Sequence, residues 1–432
     1  MTRSWSSPVA ITGRGLVTPL GSGVDATFER LARGEVGTAP VDAREMGRAG
    51  QHVGAVPDEA ISHVTRLRGV SRMDRVCQLA LAAADHALRE AGLSVPPEDG
   101  GVTGRIPRER IALCLGTSGG PLASSFDAAA AYAKGGEPML RRSAPLALVT
   151  TAHASATGEV ARRFSIKGPS FTVNAECASG NTVVALGQML LASGAVDAVL
   201  CVGVDAALNP FNLAQANTVG ALAAGPGRPF SELRDGFVMA EGAGAVVIER
   251  LSAVEVDDRP IHGVVESIGM TTDTSHPTAP NENGESIARA INEALTQSGH
   301  VADDIDVISA HGTGTTLNDR VELVAIEEVL GARFPHVPIH SIKSMIGHSL
   351  AAAGLIELIV LAKSLERGVV PPTVSCEQPM NTMANIVRGR ARSHAAHVGL
   401  SISCGFGGNN TAALVTAAPR HGDGAEVTVV PS

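Results

Sequence analysis

The amino-acid sequence predicts an α/β protein assembled from two copies of one strand and helix pattern. Short apolar runs rich in β-branched residues, typical of buried strands, alternate with longer segments whose apolar residues recur with a helical period. The order βαβαβαββ occurs twice along the 432 residues. Helices between strands imply right-handed crossovers and mostly parallel sheets covered on both faces, so we expect the two halves to stack.

The first copy starts with a strand near the N-terminus and ends with two strands that no predicted helix separates. It forms a predicted N-terminal half, residues 1–255, which carries the candidate nucleophile. Its strands are predicted at Val9–Gly13, Arg110–Gly116, Phe171–Ala175, Ala198–Val204 and Gly244–Glu249, and its helices near 74–91, near 150–163 and at Asn181–Ser193.

The second copy repeats this order and forms a predicted C-terminal half, residues 256–418. Residues 419–432 follow the last strand and are expected to be a tail. The strands of this half are predicted at Gly263–Gly269, Asp306–Ala310, Ile339–Ile342, Gly399–Ser403 and Thr411–Thr416, and its helices at Ser286–Gln297, Asp319–Leu330 and Leu350–Glu366.

Composition narrows the class of protein. With 44% hydrophobic residues and 48 glycines, the chain can bury a large core of closely packed layers. The balance of 34 Lys and Arg against 43 Asp and Glu argues against nucleic acid or an anionic membrane as a partner. The six cysteines lack CxxC spacing and are expected to be reduced thiols. We therefore expect a cytoplasmic protein without a transmembrane segment and without a bound metal.

The first candidate functional residue is Cys177, at a junction between a predicted strand and a predicted helix. In open α/β sheets ligands bind beyond the carboxyl ends of the strands. A helix N-terminus stabilises a thiolate, and its free N–H groups can receive an oxyanion. Cys177 is therefore interpreted as a nucleophile. The alternative is a small buried side chain, and that is the interpretation for Cys77, Cys114 and Cys201.

Two further junctions carry histidines. His311 ends a strand and opens the run His311-Gly-Thr-Gly-Thr, whose glycines let backbone approach a ligand and whose Thr313 and Thr315 offer hydroxyl groups. Lys343 and His348 lie between a strand and an apolar helix, at the position that the repeat makes equivalent to the Cys177 junction. The alternatives are a structural histidine, a surface lysine and a capping histidine.

A fourth junction is the glycine-rich turn Ser403-Cys-Gly-Phe-Gly-Gly-Asn-Asn410, whose backbone N–H groups are expected beside the nucleophile. A cysteine and a histidine alone are compatible with a hydrolase. However, a protease needs one base, whereas two neutral imidazoles donating N–H groups to one carbonyl suit an enolate formed when a carboxylate leaves as carbon dioxide.

The sequence resembles the β-ketoacyl-acyl-carrier-protein synthases of the thiolase superfamily, especially the KAS II type and related polyketide ketosynthases. The resemblance covers nearly all of residues 8–418. Its motifs include Val173-Asn-Ala-Glu-Cys-Ala-Ser-Gly, Arg228-Pro-Phe, His311-Gly-Thr-Gly-Thr, Lys343-Ser-Met-Ile-Gly-His and Gly405-Phe-Gly-Gly-Asn. It implies a duplicated five-layer αβαβα fold that forms a dimer.

The resemblance also implies roles for individual residues. Cys177 would accept the acyl group as a thioester, and His311 and His348 would hold the malonyl thioester carbonyl during decarboxylation. Lys343 would order the site and pair with Glu357.

The same resemblance assigns the residues around the nucleophile. The amides of Cys177 and Phe406 would form the oxyanion hole, with Phe406 also gating the acyl pocket. Thr313 and Thr315 would bind the phosphopantetheine arm. Gly119 replaces a branched residue of the KAS II type, which predicts a wider acyl pocket and a long, bulky or unsaturated substrate.

These observations predict a ketosynthase that joins an acyl-cysteine thioester to malonyl-carrier protein by decarboxylative Claisen condensation, in a specialised polyketide or polyene pathway. Housekeeping fatty-acid elongation is the first alternative, and a non-catalytic chain-length subunit is the second. The expected partners are an acyl carrier protein and a second subunit, identical or homologous. No resident cofactor is expected, because the phosphopantetheine arrives on the carrier protein.

Overall fold

The two copies of the strand and helix pattern form one mixed sheet, to which each copy contributes five strands. The computed structural model describes residues 7–41, 50–93 and 105–419. The first five strands are β1 (Val9–Thr18), β2 (Ile111–Gly116), β3 (Ser170–Val173), β4 (Ala198–Asp205) and β5 (Gly242–Arg250). The second five are β6 (Val264–Thr272), β7 (Val307–Ser309), β8 (Ile339–His340), β9 (Val398–Cys404) and β10 (Asn409–Thr416).

The strand order across the sheet repeats between the halves. It reads β8-β7-β9-β10-β6-β1-β5-β4-β2-β3, so each strand of the first half has its counterpart five strands later in the chain. The antiparallel pair β1–β6 joins the two halves at Val9↔Val265 and Ala10↔Val264. The predicted duplication is therefore confirmed.

The helices between these strands occupy the positions that the repeat predicts. The helices of nine or more residues are α1 (Val24–Ala32), α2 (Arg75–Glu90), α3 (Leu122–Ser143), α4 (Ser155–Phe164), α5 (Ser179–Ala192), α6 (Pro210–Thr218), α7 (Glu285–Ser298), α8 (Thr316–Leu330) and α9 (Ala353–Arg367). Shorter helices lie at Ser62–Thr65, Ala147–Thr150, Leu251–Val256 and Lys343–Ile346. None of the helices in the described residues is long and apolar enough to cross a membrane.

Three apolar cores define five layers. One core joins α2 and α4 to the outer face of the first half-sheet. A second joins α7 and α8 to the outer face of the second. The third surrounds α5 and α9 and includes Ile11 and Cys114 from one half and Val265 and Val307 from the other. The predicted αβαβα layering is confirmed, with α5 and α9 as the central layer.

The prediction of mostly parallel sheets is wrong for half of the pairings in each copy. The pairs β2–β3, β2–β4, β7–β8 and β7–β9 are parallel, whereas β4–β5, β5–β1, β9–β10 and β10–β6 are antiparallel. No crossover helix packs on the sheet between β4 and β5 or between β9 and β10, so the last strand of each copy can return in the opposite direction.

The sequence interpretation also missed α1, α3 and α6. In α3, Gly135 and Gly136 have non-helical backbone angles and Pro138 follows them, and these residues are helix-breaking signals in the sequence. The division into residues 1–255 and 256–418 remains a prediction. Residues 420–432 of the predicted tail lie outside the described residues.

Equivalent glycines of the two copies let an outer helix touch the sheet backbone. A Cβ atom at Gly15 in β1 would collide with the Ala83 carbonyl oxygen of α2, and one at Gly269 in β6 would collide with the Ala290 carbonyl oxygen of α7. The helix backbone cannot give way as a flexible side chain can. The glycines therefore fix the distance between layers.

We predict that Gly269→Ala lowers the free energy of unfolding by about 1–3 kcal/mol through overpacking. The matched control is Gly158→Ala in the exposed part of α4, where no atom lies within 4 Å of an added Cβ. That change is expected to raise the free energy of unfolding by about 0.8–1.0 kcal/mol, because alanine favours helix. Denaturant unfolding measures both, and equal effects of the two variants would contradict the packing argument.

Candidate active site

Cys177 lies in the turn between the end of β3 and the start of α5. The turn at Asn174–Ala178 is tied together by Ser179, whose Oγ donates to the Glu176 carbonyl at 2.7 Å and accepts the Ala175 N–H at 2.8 Å. Glu176 adopts φ 50°, a left-handed conformation that a side chain rarely takes. Cys177 itself is 7% exposed. The local geometry therefore presents the thiol at a sharp strand-to-helix turn, as the sequence predicted.

His348 is in direct contact with the thiol. Its Nε2 lies 3.1 Å from Cys177 Sγ, although the two residues come from opposite halves of the chain. Burial and the nearby Lys343 ammonium hold the pKa of His348 well below its usual value. The resting pair is therefore a neutral imidazole beside a thiol.

His311 completes the group. The donor atoms of Cys177, His311 and His348 all lie within 4.8 Å of one another. The two imidazole rings meet edge to face, with centroids 5.2 Å apart and an interplanar angle of 83°. Burial, Lys343 and His348 hold the pKa of His311 well below its usual value, so this imidazole is also neutral.

Lys343 sets the orientation of His311. Its Nζ donates to the His311 carbonyl oxygen at 2.6 Å and lies 3.3 Å from His311 Nδ1. An ammonium group has no acceptor, so Nδ1 accepts and Nε2 carries the ring proton. Nζ also forms a buried ion pair with Glu357. Burial raises the pKa of Glu357 to about 7, and Lys343 opposes that rise.

Thr313, Thr315 and Phe406 surround the same space. A cavity of about 430 Å³ is lined by Cys177, His311, His348, Thr313, Thr315 and Phe406, among others. Thr313 Oγ1 and Thr315 Oγ1 lie 3.0 Å apart. Phe406 is 46% exposed at the cavity mouth.

The glycine-rich turn passes directly over the nucleophile. A Cβ atom at Gly405 would lie 3.3 Å from the backbone nitrogen of Cys177. The Gly405 backbone therefore packs against the Cys177 backbone, and the oxyanion hole formed by the amides of Cys177 and Phe406 stays a prediction.

Two protein-family models match this chain. The β-ketoacyl synthase N-terminal domain model matches residues 6–253, and the C-terminal domain model matches residues 262–377. The chain belongs to the β-ketoacyl synthase family. The tetracenomycin polyketide synthase ketoacyl synthase alpha subunit of Streptomyces glaucescens is 34% identical over 428 residues, which cover 96% of this chain and 98% of that protein.

Other relatives of this β-ketoacyl synthase come from fatty-acid and polyketide systems. The 3-oxoacyl-(acyl-carrier-protein) synthase 2 of Synechocystis sp. is 31% identical over 410 residues, which cover 93% of this chain and 96% of that protein. The structure of the ishigamide ketosynthase/chain length factor superposes with a TM-score of 0.84 at 30% identity, covering 96% of this chain and all of that one. A type II polyketide synthase acyl carrier protein in complex with its ketosynthase gives 0.84 at 26%, with the same coverage.

Gly119 lies outside the cavity lining of this β-ketoacyl synthase. Its N–H donates to Asp205 Oδ1 at 3.1 Å, and an added Cβ would collide with the side chain of Leu122. The side chain of Leu122 therefore lies next to Gly119, and the wider acyl pocket at this position stays a prediction.

The expectation of a stabilised thiolate is also corrected. Burial raises the pKa of Cys177 to about 12, and the Glu176 carboxylate adds to the rise, while Lys343 and a backbone hydrogen bond oppose it. Burial is therefore the largest influence on the pKa of this thiol in the free enzyme. The proton must leave as the thiol attacks, and the adjacent His348 Nε2 is in place to accept it.

The sequence interpretation gave no role to Asp319 and Glu322, whose carboxylates bind the backbone of the loop that begins at His311. Glu322 accepts the His311 N–H at 2.5 Å and the Gly312 N–H at 2.8 Å. Asp319 accepts the Thr313 N–H at 3.0 Å and the Phe230 N–H at 2.7 Å. Two carboxylates three residues apart at the start of α8 share one helix face, and that spacing was the available signal.

Asp205 was missed as well, although it links the two halves near the site. This fully buried residue accepts the hydroxyl protons of Thr117 at 2.9 Å and Ser118 at 2.6 Å. It also accepts the Ala351 N–H at 2.8 Å, three residues after His348. Nothing in the local sequence distinguishes this aspartate from a surface residue.

We predict that alkylation of Cys177 by iodoacetamide accelerates about tenfold per pH unit from about pH 7 to about pH 10, because the thiolate is the reactive form. With a pKa of about 12 the rate is still rising at the end of that range. Peptide mass spectrometry follows the modified residue, and Cys177→Ala identifies the background. A plateau near pH 8.5, typical of an exposed cysteine, would contradict the burial argument.

Proposed function

We propose that the protein is a ketosynthase that condenses an acyl group held on Cys177 with a malonyl group delivered by an acyl carrier protein. The observation that carries the proposal is one buried thiol in contact with the imidazole of His348 and close to that of His311, with all three ligand atoms within 4.8 Å of one another. Membership of the β-ketoacyl synthase family supports the same reaction class.

In the first half-reaction the Cys177 sulfur attacks the thioester carbonyl of the acyl carrier. His348 accepts the thiol proton through the 3.1 Å contact and returns it to the departing pantetheine thiolate. The amides of Cys177 and Phe406 receive the negative charge on the carbonyl oxygen. The products are an acyl-cysteine thioester and the free carrier thiol.

In the second half-reaction the malonyl thioester loses its carboxylate as carbon dioxide, and the electron pair of the broken carbon–carbon bond forms an enolate. The N–H groups of His311 and His348 hold the enolate oxygen, with the ring proton of His348 now on Nε2 rather than on Nδ1. The enolate carbon attacks the acyl-cysteine carbonyl, and the Cys177 thiolate leaves. The carrier then holds a chain two carbons longer.

The proposal also includes a carrier-protein partner, a second subunit and a cytoplasmic location. Thr313 and Thr315 line the cavity and would hydrogen bond the phosphopantetheine arm that the carrier brings, so no resident cofactor is needed. The solved relative that contains an acyl carrier protein supports this partner, and the ishigamide ketosynthase/chain length factor supports a second, homologous subunit. All six cysteines are free, which fits the cytoplasm.

We predict that Cys177→Ala abolishes the acyl-enzyme. Incubation with an acyl-carrier thioester is expected to add one acyl mass to the wild-type chain and none to the variant, as read by intact-protein mass spectrometry. Cys77→Ala is the matched control, because Cys77 is buried in α2 and is expected to leave acylation unchanged. An acyl adduct on Cys177→Ala would refute the assignment of the nucleophile.

We place the enzyme in a specialised polyketide or polyene pathway, a choice supported by its similarity to the tetracenomycin subunit and to the ishigamide structure. Fatty-acid elongation is the alternative, favoured by the synthase 2 relatives at 31% identity. Given malonyl-carrier and a panel of acyl-carriers, the enzyme is expected to extend unsaturated or oxidised chains faster than saturated ones. Faster extension of saturated chains would favour elongation. A wild-type protein that forms no condensation product would favour the chain-length subunit.

A further inference from the structure

Cys177, His311 and His348 have the side-chain types and the spacing of a metal site as well as those of a catalytic site. Their three ligand atoms all lie within 4.8 Å of one another, and His348 Nε2 lies 3.1 Å from Cys177 Sγ. A tetrahedral zinc ion with bonds of about 2.0–2.3 Å holds its ligand atoms roughly 3.3–3.8 Å apart. Movements of about 1 Å would therefore convert the group into a three-ligand zinc site with an open fourth position.

The surroundings of these three residues also suit an ion. Each of them is at most 7% exposed, and the cavity that they line leads to Phe406 at its mouth. Both imidazoles are neutral, and neutral imidazole and thiolate are ligands that Zn²⁺ prefers. A bound ion would occupy the sulfur that attacks the acyl thioester. An enzyme with this group therefore needs a feature that keeps zinc out.

The hydrogen bonds of the His311 ring run in the opposite sense to those of a zinc ligand. A histidine that binds zinc donates its other ring N–H to a carboxylate, a carbonyl or water. Here the Lys343 ammonium lies between the ring and a carboxylate, with Nζ 3.3 Å from His311 Nδ1 and in contact with Glu357 Oε1. Nδ1 must therefore accept a hydrogen bond. The ring proton is held on Nε2, the only ring nitrogen that Lys343 leaves free for an ion.

The ring of His348 is not restricted in this way. Its Nδ1 has no hydrogen-bond partner within the described part of the chain, so the ring proton can reside there while Nε2 faces the thiol. Cys177 and His348 alone offer two ligands, fewer than the three protein ligands of a catalytic zinc site. The position of the proton on His311 thus decides whether the group binds the metal.

We propose that Cys177, His311 and His348 form a latent zinc site, and that Lys343 keeps zinc out by holding the ring proton of His311 on Nε2. The positive charge of the ammonium also repels the ion. Zinc binds when Lys343 is removed, because Nδ1 can then carry the proton and donate it to water or to Glu357. Binding releases the thiol proton to solvent, and the Cys177 thiolate and one nitrogen of each ring hold the ion.

The test measures binding of Zn²⁺ by the full-length protein in competition with a chromogenic chelator. Lys343→Ala is expected to bind one Zn²⁺ with a dissociation constant about 10- to 100-fold lower than that of the wild type, the size by which partners of a zinc-bound histidine change metal affinity. The matched control is Lys363→Ala. Lys363 is also buried and ion-paired, with Glu366, but it lies in α9 outside the cavity lining. That variant is expected to bind Zn²⁺ as weakly as the wild type.

Two further variants locate the ion and provide for misfolding. Adding Cys177→Ala to Lys343→Ala is expected to abolish the tight binding. Co²⁺ bound to Lys343→Ala is expected to show a thiolate-to-metal absorption band that this double variant lacks. Removal of Lys343 leaves Glu357 as an uncompensated buried charge. If the unfolding temperature shows that Lys343→Ala does not fold, Lys343→Ala with Glu357→Gln removes that charge and is measured in its place.

Three results would overturn the proposal. The first is equal affinity of the wild type and Lys343→Ala for Zn²⁺, whether strong or weak. The second is tight binding that survives the loss of Cys177, which would place the ion elsewhere. The third is a gain of affinity in Lys363→Ala as large as that in Lys343→Ala. The inference goes beyond the proposed function, and none of these measurements uses a substrate. A wild-type protein that forms no condensation product would therefore refute the proposed function alone.

Discussion

The active site depends on one buried ammonium group. Lys343 makes three contacts at once, with the carboxylate of Glu357, the carbonyl of His311 and the Nδ1 of the same histidine. Removing one partner of a buried ion pair leaves an uncompensated charge and costs about 3–5 kcal/mol. This arrangement fixes the tautomer of His311. Burial lowers the pKa of both histidines, and the Lys343 ammonium adds to that shift. The chemistry of the cavity follows from both effects, because a neutral imidazole offers one nitrogen that can accept a proton and one N–H group that can donate.

The duplicated fold brings these groups together. The first half supplies the sulfur and the second supplies both imidazoles and the lysine, and the central helices α5 and α9 must approach closely for them to meet. A Cβ at Gly180 would lie 2.5 Å from the Leu355 nitrogen, so the start of each central helix packs backbone against backbone. This close contact between the central helices explains why the sequence is rich in glycine and alanine. Larger residues at these contacts would separate Cys177 from His348.

The sequence predicts the repeat and the polar residues at strand ends, because both follow from local patterns. The order βαβαβαββ is recovered in both halves, and Cys177, His311, His348 and Lys343 meet as the carboxyl ends of equivalent strands require. Strand direction was not predictable for β5 and β10, since hydrophobic patterning does not report it. The long helix α3 was missed because its interior contains Gly135, Gly136 and Pro138.

The errors at the site have a common physical cause. The helix terminus at Cys177 is visible in the sequence, but the desolvation that raises its pKa depends on residues from the other half. Likewise, only the fold shows that Leu122 lies next to Gly119. Asp205 and Glu322 act through backbone amides distant in sequence, which a linear pattern does not reveal.

The most direct test of the account is the stoichiometry of a single turnover. Enzyme acylated on Cys177 is mixed with malonyl-carrier labelled in its free carboxylate, and released carbon dioxide and elongated product are counted together. If one cavity holds the thioester and the two imidazoles, each carbon dioxide released yields one new carbon–carbon bond and one free Cys177 thiol. Carbon dioxide released without product, or an acyl group lost as the free acid, would contradict the proposal that these three residues act on one substrate pair.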